Sequence, residues 1–201
     1  MSKQQTEAVK IFPNEFDIKA GFRLHYTTLF SIVLGMNAQQ VFEFGCGHSS
    51  RVILSALRQT GGQLTTSELR NIEETGNTKQ MIDEEKELWR FIQKPAQEVI
   101  RDEIKNQKFD VVLHDGAHEA LTVMRDIREI VRHMKKNSIL IVHDTNHKSY
   151  PYLNLAIKIG LFPYRYERLN LPYGYGLTII KIKSNKKNGQ VQFQNKETSI
   201  V

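Results

Sequence analysis

Short apolar runs alternating with amphipathic stretches constrain this chain more than any other feature. Gln40-Val41-Phe42-Glu43-Phe44 closes on Gly45-Cys46-Gly47 and reads as a strand entering a glycine turn. Ser49-Ser50 then caps a helix carrying Val52, Ile53, Leu54 and Leu57, which ends at Gly61-Gly62. The exchange repeats. Strands are predicted over 63–69, 88–92, 109–113 and 138–142. Helical stretches are predicted around 71–86, over 119–133 and through 153–159, with Pro95 opening another. Two further strands, 164–169 and 177–183, break the alternation, and the loop Asn170-Leu171-Pro172-Tyr173-Gly174-Tyr175-Gly176 suits a hairpin. Wholly apolar strands separated by helices imply a parallel sheet covered on both faces. The expectation is an α/β three-layer sandwich, its mostly parallel seven-stranded sheet ending in an antiparallel hairpin.

Upstream, Ile18, Phe22, Tyr26, Leu29 and Val33 recur at mixed three and four spacing, so a helix is expected over 16–36. Residues 1–13 read as a loose polar arm. No linker-like stretch interrupts 14–183. The division is an N-terminal arm and helix over 1–38, a domain over 39–183, and a basic flexible tail over 184–201. The net charge of +6 is uneven: residues 181–201 carry five lysines against Glu197, leaving 23 basic and 21 acidic groups before them. The basic character therefore argues little for nucleic-acid binding by the domain. Cys46 is the only cysteine, which excludes an internal disulfide. Residues 1–7 hold no apolar signal core, and the most apolar stretch, Leu29 to Met36, is far too short for a bilayer. A cytoplasmic protein without membrane attachment is expected.

In an open α/β sheet, ligands bind beyond the carboxyl ends of the strands. Gly45 and Gly47 let the backbone approach a ligand there, next to the free N–H groups that begin a helix. Glu68 follows Gly47 by 21 positions, at the end of the second strand, where an acid suits the hydroxyls of a ribose. The pair fits a dinucleotide or S-adenosylmethionine. Position 50 is Ser where a dinucleotide pattern wants a third glycine. Glu43, two residues before Gly45, suits the ammonium of S-adenosylmethionine and would repel a pyrophosphate. A second constellation, His-Asp-x-x-His, occurs twice: His114, Asp115, His118 and His143, Asp144, His147. Both copies end strands expected to be neighbours. Carboxylates and imidazoles meeting at one sheet edge can bind a divalent cation or form an acid/base pair. Asp115, His118 and Asp144 are expected to function, and His114 and His143 to pack.

These residues resemble class I S-adenosylmethionine-dependent methyltransferases, a Rossmann-like fold, over about residues 39–183. Phe-Asp-Val-Val-Leu-His-Asp-Gly-Ala-His (109–118) and Ile-Leu-Ile-Val-His-Asp-Thr (139–145) are similar to a small-molecule O-methyltransferase group that includes macrolide-sugar and cephalosporin-pathway enzymes, distantly similar to catechol O-methyltransferase. The resemblance implies a cofactor site of Glu43, Gly45, Gly47, Ser49, Glu68 and Asp115. It implies that Asp115 and Asp144 bind Mg²⁺ beside the transfer centre, with His118 as general base. Thr145 stands where catechol-type enzymes place a ligand asparagine, a gap that Asn146 or His147 could fill. Pro95 stands where relatives often place a polar residue near the adenine. Ser49 replaces the third motif glycine, a change relatives commonly tolerate.

The implied acceptor is a hydroxyl of a small molecule, a sugar or secondary metabolite. Tyr173 and Tyr175 could line its pocket, and a homodimer could complete the site. The rivals are a nucleic-acid methyltransferase, a nicotinamide oxidoreductase and a non-catalytic Rossmann-like nucleotide-binding protein. The first would lean on the basic tail and on Asn170-Leu171-Pro172-Tyr173, which superficially resembles the Asn-Pro-Pro-Tyr motif of amino-directed methylases. That motif follows the fourth strand, where this chain has Asp115-Gly116.

Overall fold

Residues that are apolar on both strand faces can be satisfied only by cover on both sides. In the computed structural model, which describes residues 21–184, the central strands meet this condition in one seven-stranded sheet of order β3-β2-β1-β4-β5-β7-β6. The seven are β1 Gln40–Phe44, β2 Gln63–Glu68, β3 Trp89–Gln93, β4 Phe109–His114, β5 Met134–His143, β6 Arg165–Leu171 and β7 Leu177–Ser184. β1 to β5 run parallel, whereas β7 is antiparallel to both β5 and β6. The Rossmann-like architecture read from the sequence is therefore the architecture of the chain.

The helices are α1 Tyr26–Gly35, α2 His48–Thr60, α3 Lys79–Glu84, α4 Ala96–Glu98, α5 Ala120–Ile130 and α6 Leu153–Leu161. Phe42, Phe44, Val112, Leu140 and Val142 point to one face, against Val123 and Ile127 of α5 and Ile157 of α6. Val41, Val111, Leu113 and Ile141 point to the other, against Leu29 and Val33 of α1 and Ile53 and Leu57 of α2. The strand period of two thus feeds two apolar layers from one sheet.

Three stretches differ from expectation. The helix expected over 16–36 is a 3₁₀ turn, Gly21–His25, followed by α1; residues 16–20, the arm and the tail from 185 onward lie outside the described residues. The charged stretch 71–86 is split into a 3₁₀ turn, Ile72–Thr75, and short α3, because Gly76 adopts φ 78° and ends the first. The helix after Pro95 passes from α4 into a π-helical turn, Val99–Glu103. No helix among the described residues is long and apolar enough to cross a membrane.

The sheet order reverses at β1, whose neighbours are β2 and β4. Loops leaving β1 and β4 part there, opening a crevice at the carboxyl end of the sheet. Register also matters to the site: His114 pairs with Val142, so one step further brings Asp115 opposite His143 rather than Asp144.

Candidate active site

The glycine turn after β1 is fixed by a close approach. Gly45 has φ 84°, and a Cβ there would stand 2.6 Å from the carbonyl oxygen of Asp115. Only glycine fits both the conformation and the contact. Gly45 N–H donates to Ser67 O at 2.9 Å and Asp115 N–H donates to Phe44 O at 3.0 Å, tying the ends of β1, β2 and β4 together. At Gly47 an added Cβ would meet nothing within 4 Å, so the protein's own packing does not require glycine there.

Glu43 lies beneath this turn, fully buried. Ser49 Oγ donates to its Oε1 at 2.7 Å, while Ser50 Oγ (2.7 Å) and Thr66 Oγ1 (3.0 Å) donate to Oε2. Burial pushes its carboxyl up to about 7 despite these three hydroxyls. Two sequence-based expectations change accordingly. Glu43 lies behind the wall of the cavity rather than in it. Ser49 and Ser50 turn their hydroxyls inward onto Glu43, and only Ser50 Oγ also serves the helix start, accepting from Gly47 N–H at 3.3 Å. The Cys46 thiol is buried too, and burial pushes it up to about 11.

A cavity of about 600 Å³ opens at the reversal point, its walls including Phe44, Gly45, Glu68, Pro95, Asp115 and His118. Gly45, Glu68 and Asp115 of the expected cofactor residues line it; Glu43, Gly47 and Ser49 do not, and shape the turn from behind. Glu68 accepts from the N–H groups of Cys46 (3.1 Å), Leu69 (2.7 Å) and Arg70 (3.0 Å), and from Arg70 Nη2 (2.7 Å). Burial works to raise its pKa, but the Arg70 guanidinium and these amides outweigh it and hold the carboxyl below its ordinary value. Lys94, Pro95 and Ala96 form the wall beyond Glu68.

At the other end, Asp115, His118 and Asp144 converge. His118 Nε2 stands 2.6 Å from Asp144 Oδ2. That contact raises the His118 pKa, burial opposing it. Asp144 is held below its ordinary range; burial pushes it up, but His118 and the charge of His143 outweigh that. Asp144 has φ 58°, a left-handed conformation that strains an ordinary side chain and that Asp tolerates, at the point where β5 ends. Tyr150 stacks on the His118 ring, centroids 4.5 Å apart and planes within 10°. A smaller cavity of about 400 Å³ adjoins His118, between it and Tyr150, Tyr152 and Leu153.

The two His-Asp copies are not equivalent. His114 packs as expected: it contacts Asp126 at 3.2 Å in the core and lies against Phe44. His143 does more than pack, because its Nδ1 stands 2.9 Å from Asp115 Oδ1 and 3.3 Å from Asp144 Oδ1. Asp126, Arg70 and Tyr150 were not legible as site residues. Asp126 reads as the polar side of α5, and Arg70 and Tyr150 follow no motif. Tyr173 and Tyr175 line neither cavity described above. The Tyr173 carbonyl instead accepts from His25 at 3.1 Å, and the Tyr175 ring meets His147 at 4.4 Å.

The donor set fits a divalent cation. Asp115, His118 and Asp144 each offer one ligand atom, all within 4.8 Å of one another. Asp144 Oδ1 is buried without a hydrogen-bond partner. Thr145, Asn146 and His147 each hold a hydrogen bond within the loops around this group. Thr145 Oγ1 accepts from Thr178 (3.0 Å), Asn146 Nδ2 donates to Pro172 O (3.1 Å), and His147 Nδ1 accepts from Ser149 N–H (3.1 Å).

Residues 42–145, a little over half of the chain, match a family model described as a methyltransferase domain. The chain belongs to this methyltransferase family. It is an S-adenosylmethionine-dependent methyltransferase. Among solved structures it is similar to a Podospora anserina methyltransferase with bound S-adenosylhomocysteine (16% identity, TM-score 0.63, covering 92% of this chain and 89% of that one). It is also similar to an O-methyltransferase from Bacillus cereus in complex with S-adenosylhomocysteine (14%, TM-score 0.63, 91% and 92%). A third is TomG from Streptomyces achromogenes, an O-methyltransferase of tomaymycin synthesis in complex with S-adenosylmethionine (15%, TM-score 0.60, 92% and 91%). At these identities the likeness is one of fold. No curated protein matches the chain in sequence.

Proposed function

We propose that this methyltransferase moves the methyl group of S-adenosylmethionine to a hydroxyl of a small molecule, with His118 as the base. The observation that carries this reading is one continuous cavity. Its walls include Glu68, suited to a ribose, together with Asp115 and His118, where transfer would occur. The cofactor residues proposed are Gly45, Glu68 and Asp115 in the wall, with Gly47, Ser49 and Glu43 holding the turn in shape.

The sulfonium methyl is already electrophilic, so the protein's work is alignment and deprotonation of the acceptor. His118 Nε2 stands 2.6 Å from Asp144 Oδ2, and Nδ1 is the nitrogen proposed to take the acceptor's proton. Asp144 stabilises the imidazolium that results. The Tyr150 ring fixes the plane of that imidazole. Asp115 and Asp144 are the proposed Mg²⁺ ligands. A bound ion would lower the pKa of a coordinated hydroxyl.

Calorimetric titration with S-adenosylhomocysteine, with and without Mg²⁺ and with NAD as the control, tests the reading. Dissociation constants in the micromolar range, about 8 kcal/mol of binding free energy, are expected for S-adenosylhomocysteine and none for NAD. Absence of S-adenosylhomocysteine binding would remove the basis of every role above.

A further inference from the structure

We infer that His143 is a positioning residue: it turns the Asp115 carboxylate toward the cofactor cavity. The inference rests on the reading of that cavity as an S-adenosylmethionine site. Its origin is the strand register. Because His114 pairs with Val142, Asp115 leaves β4 opposite His143, and His143 Nδ1 lies 2.9 Å from Asp115 Oδ1. An ionised carboxylate only accepts, so Nδ1 carries the proton in this contact. The same nitrogen stands 3.3 Å from Asp144 Oδ1. The N–H is given to Asp115, because Asp144 Oδ1 takes part in no hydrogen bond.

The His143 ring has little freedom to do anything else. It is buried, and Phe22 meets it edge-on with centroids 4.5 Å apart. His25 lies 6.0 Å away on the same side, itself anchored to the Tyr173 carbonyl. The 3₁₀ turn Gly21–His25 thus forms a wall behind the imidazole. The Asp115 main chain is pinned as well, by its N–H bond to Phe44 O and by the contact with Gly45. What remains to be set is the Asp115 side chain, and His143 is the group that sets it.

The consequence is readable without knowing the acceptor. S-adenosylmethionine carries a positive sulfonium that S-adenosylhomocysteine lacks, and the two are otherwise alike. A carboxylate aimed into the cavity favours the first over the second; a general loss of packing weakens both equally. Replacing His143 by Asn keeps an N–H near the place of Nδ1. Gln puts its amide one carbon further out, and Leu has none. Asn and Leu both give up the ring contact with Phe22, so their comparison cancels that loss.

The experiment is calorimetric titration of wild type, His143→Asn, His143→Gln and His143→Leu with each ligand, with thermal melting to verify folding. The preference for S-adenosylmethionine should fall about five- to tenfold in the Leu and Gln variants and stay within about twofold of wild type in Asn. An unchanged ratio in Leu and Gln, or an equal fall in Asn, overturns the inference. Should His143→Leu fail to fold, Asn against Gln decides. Wild-type protein that binds neither ligand overturns the cavity reading along with it, and is thereby distinguished from a failure of His143 alone.

Discussion

Replacing Glu43 by Gln should make the protein more stable near neutral pH, by an amount that its burial sets. Glu43 is fully buried, and its carboxyl is pushed from an ordinary 4.5 up to about 7. The folded state therefore binds a proton between those values that the unfolded chain has released. Stability falls with rising pH wherever the native state binds more protons. The contribution is fully present below the unfolded pKa and is lost as pH rises from about 4.5 to about 7. A displacement of roughly two and a half pH units corresponds to about 3 kcal/mol, at about 1.4 kcal/mol per unit. Gln has no charge to desolvate and nearly the same shape. Its amide can face Ser49, whose hydroxyl can turn to accept, while its oxygen keeps the bonds from Ser50 and Thr66. Urea unfolding of both proteins at half-unit steps from pH 4.5 to 8 cancels every other titrating group in the difference. The difference should move by about 3 kcal/mol in favour of Glu43→Gln across that interval and then level off. A difference flat to within about 1 kcal/mol, or one that moves the other way, would refute the assignment of a burial-raised Glu43.

The two turn glycines should separate cleanly. Gly45→Ala forces a side chain into φ 84° and against the Asp115 carbonyl, and should destabilise by about 3 kcal/mol or more in urea unfolding. Gly47→Ala meets nothing in the protein, and should stay within about 0.5 kcal/mol of wild type in the same unfolding experiment. Glu68→Ala removes the acceptor of three N–H groups and of Arg70, and should cost at least tenfold in S-adenosylhomocysteine affinity, about 1.4 kcal/mol. His118→Ala should lower turnover about 10²- to 10⁴-fold once an acceptor is in hand, with cofactor affinity preserved; an unchanged turnover number would remove His118 from the mechanism.

Much of the fold was legible because the strands that matter are apolar on both faces. β1 is found at the residues expected, and β4 extends beyond expectation by one, to His114. Local breakers decided the misreadings. Gly76 interrupts a stretch whose charge pattern alone reads as one helix, and the first helix starts only at Tyr26. At the site, Gly45, Glu68, Asp115 and His118 were legible because each sits at a strand end, where topology sends ligands. Glu43 also sits near a strand end, yet three hydroxyls from α2 and β2 claim it. Two of those, Ser49 and Ser50, read locally as helix caps, and only the tertiary fold shows that they face a buried carboxylate.

The hidden part of the site comes from register. Read along the chain, the two His-Asp copies align, and Asp115 stands level with Asp144. In the sheet they are offset by one residue, which sets His143 against Asp115 and lets Asp144 reach His118 in the other loop. Two identical motifs in equal register would place like beside like, acid against acid and imidazole against imidazole. The single-residue offset crosses the pairing instead, so that each carboxylate faces an imidazole from the other strand. A parallel pair carries no turn that would specify its register, and the offset is set by which apolar residues of β4 and β5 share a face: Val111 and Leu113 with Ile141, Val112 with Leu140 and Val142. The core packing of two strands thereby decides which acid meets which base, and a shift of that register by one residue would dismantle the site without altering any of its side chains.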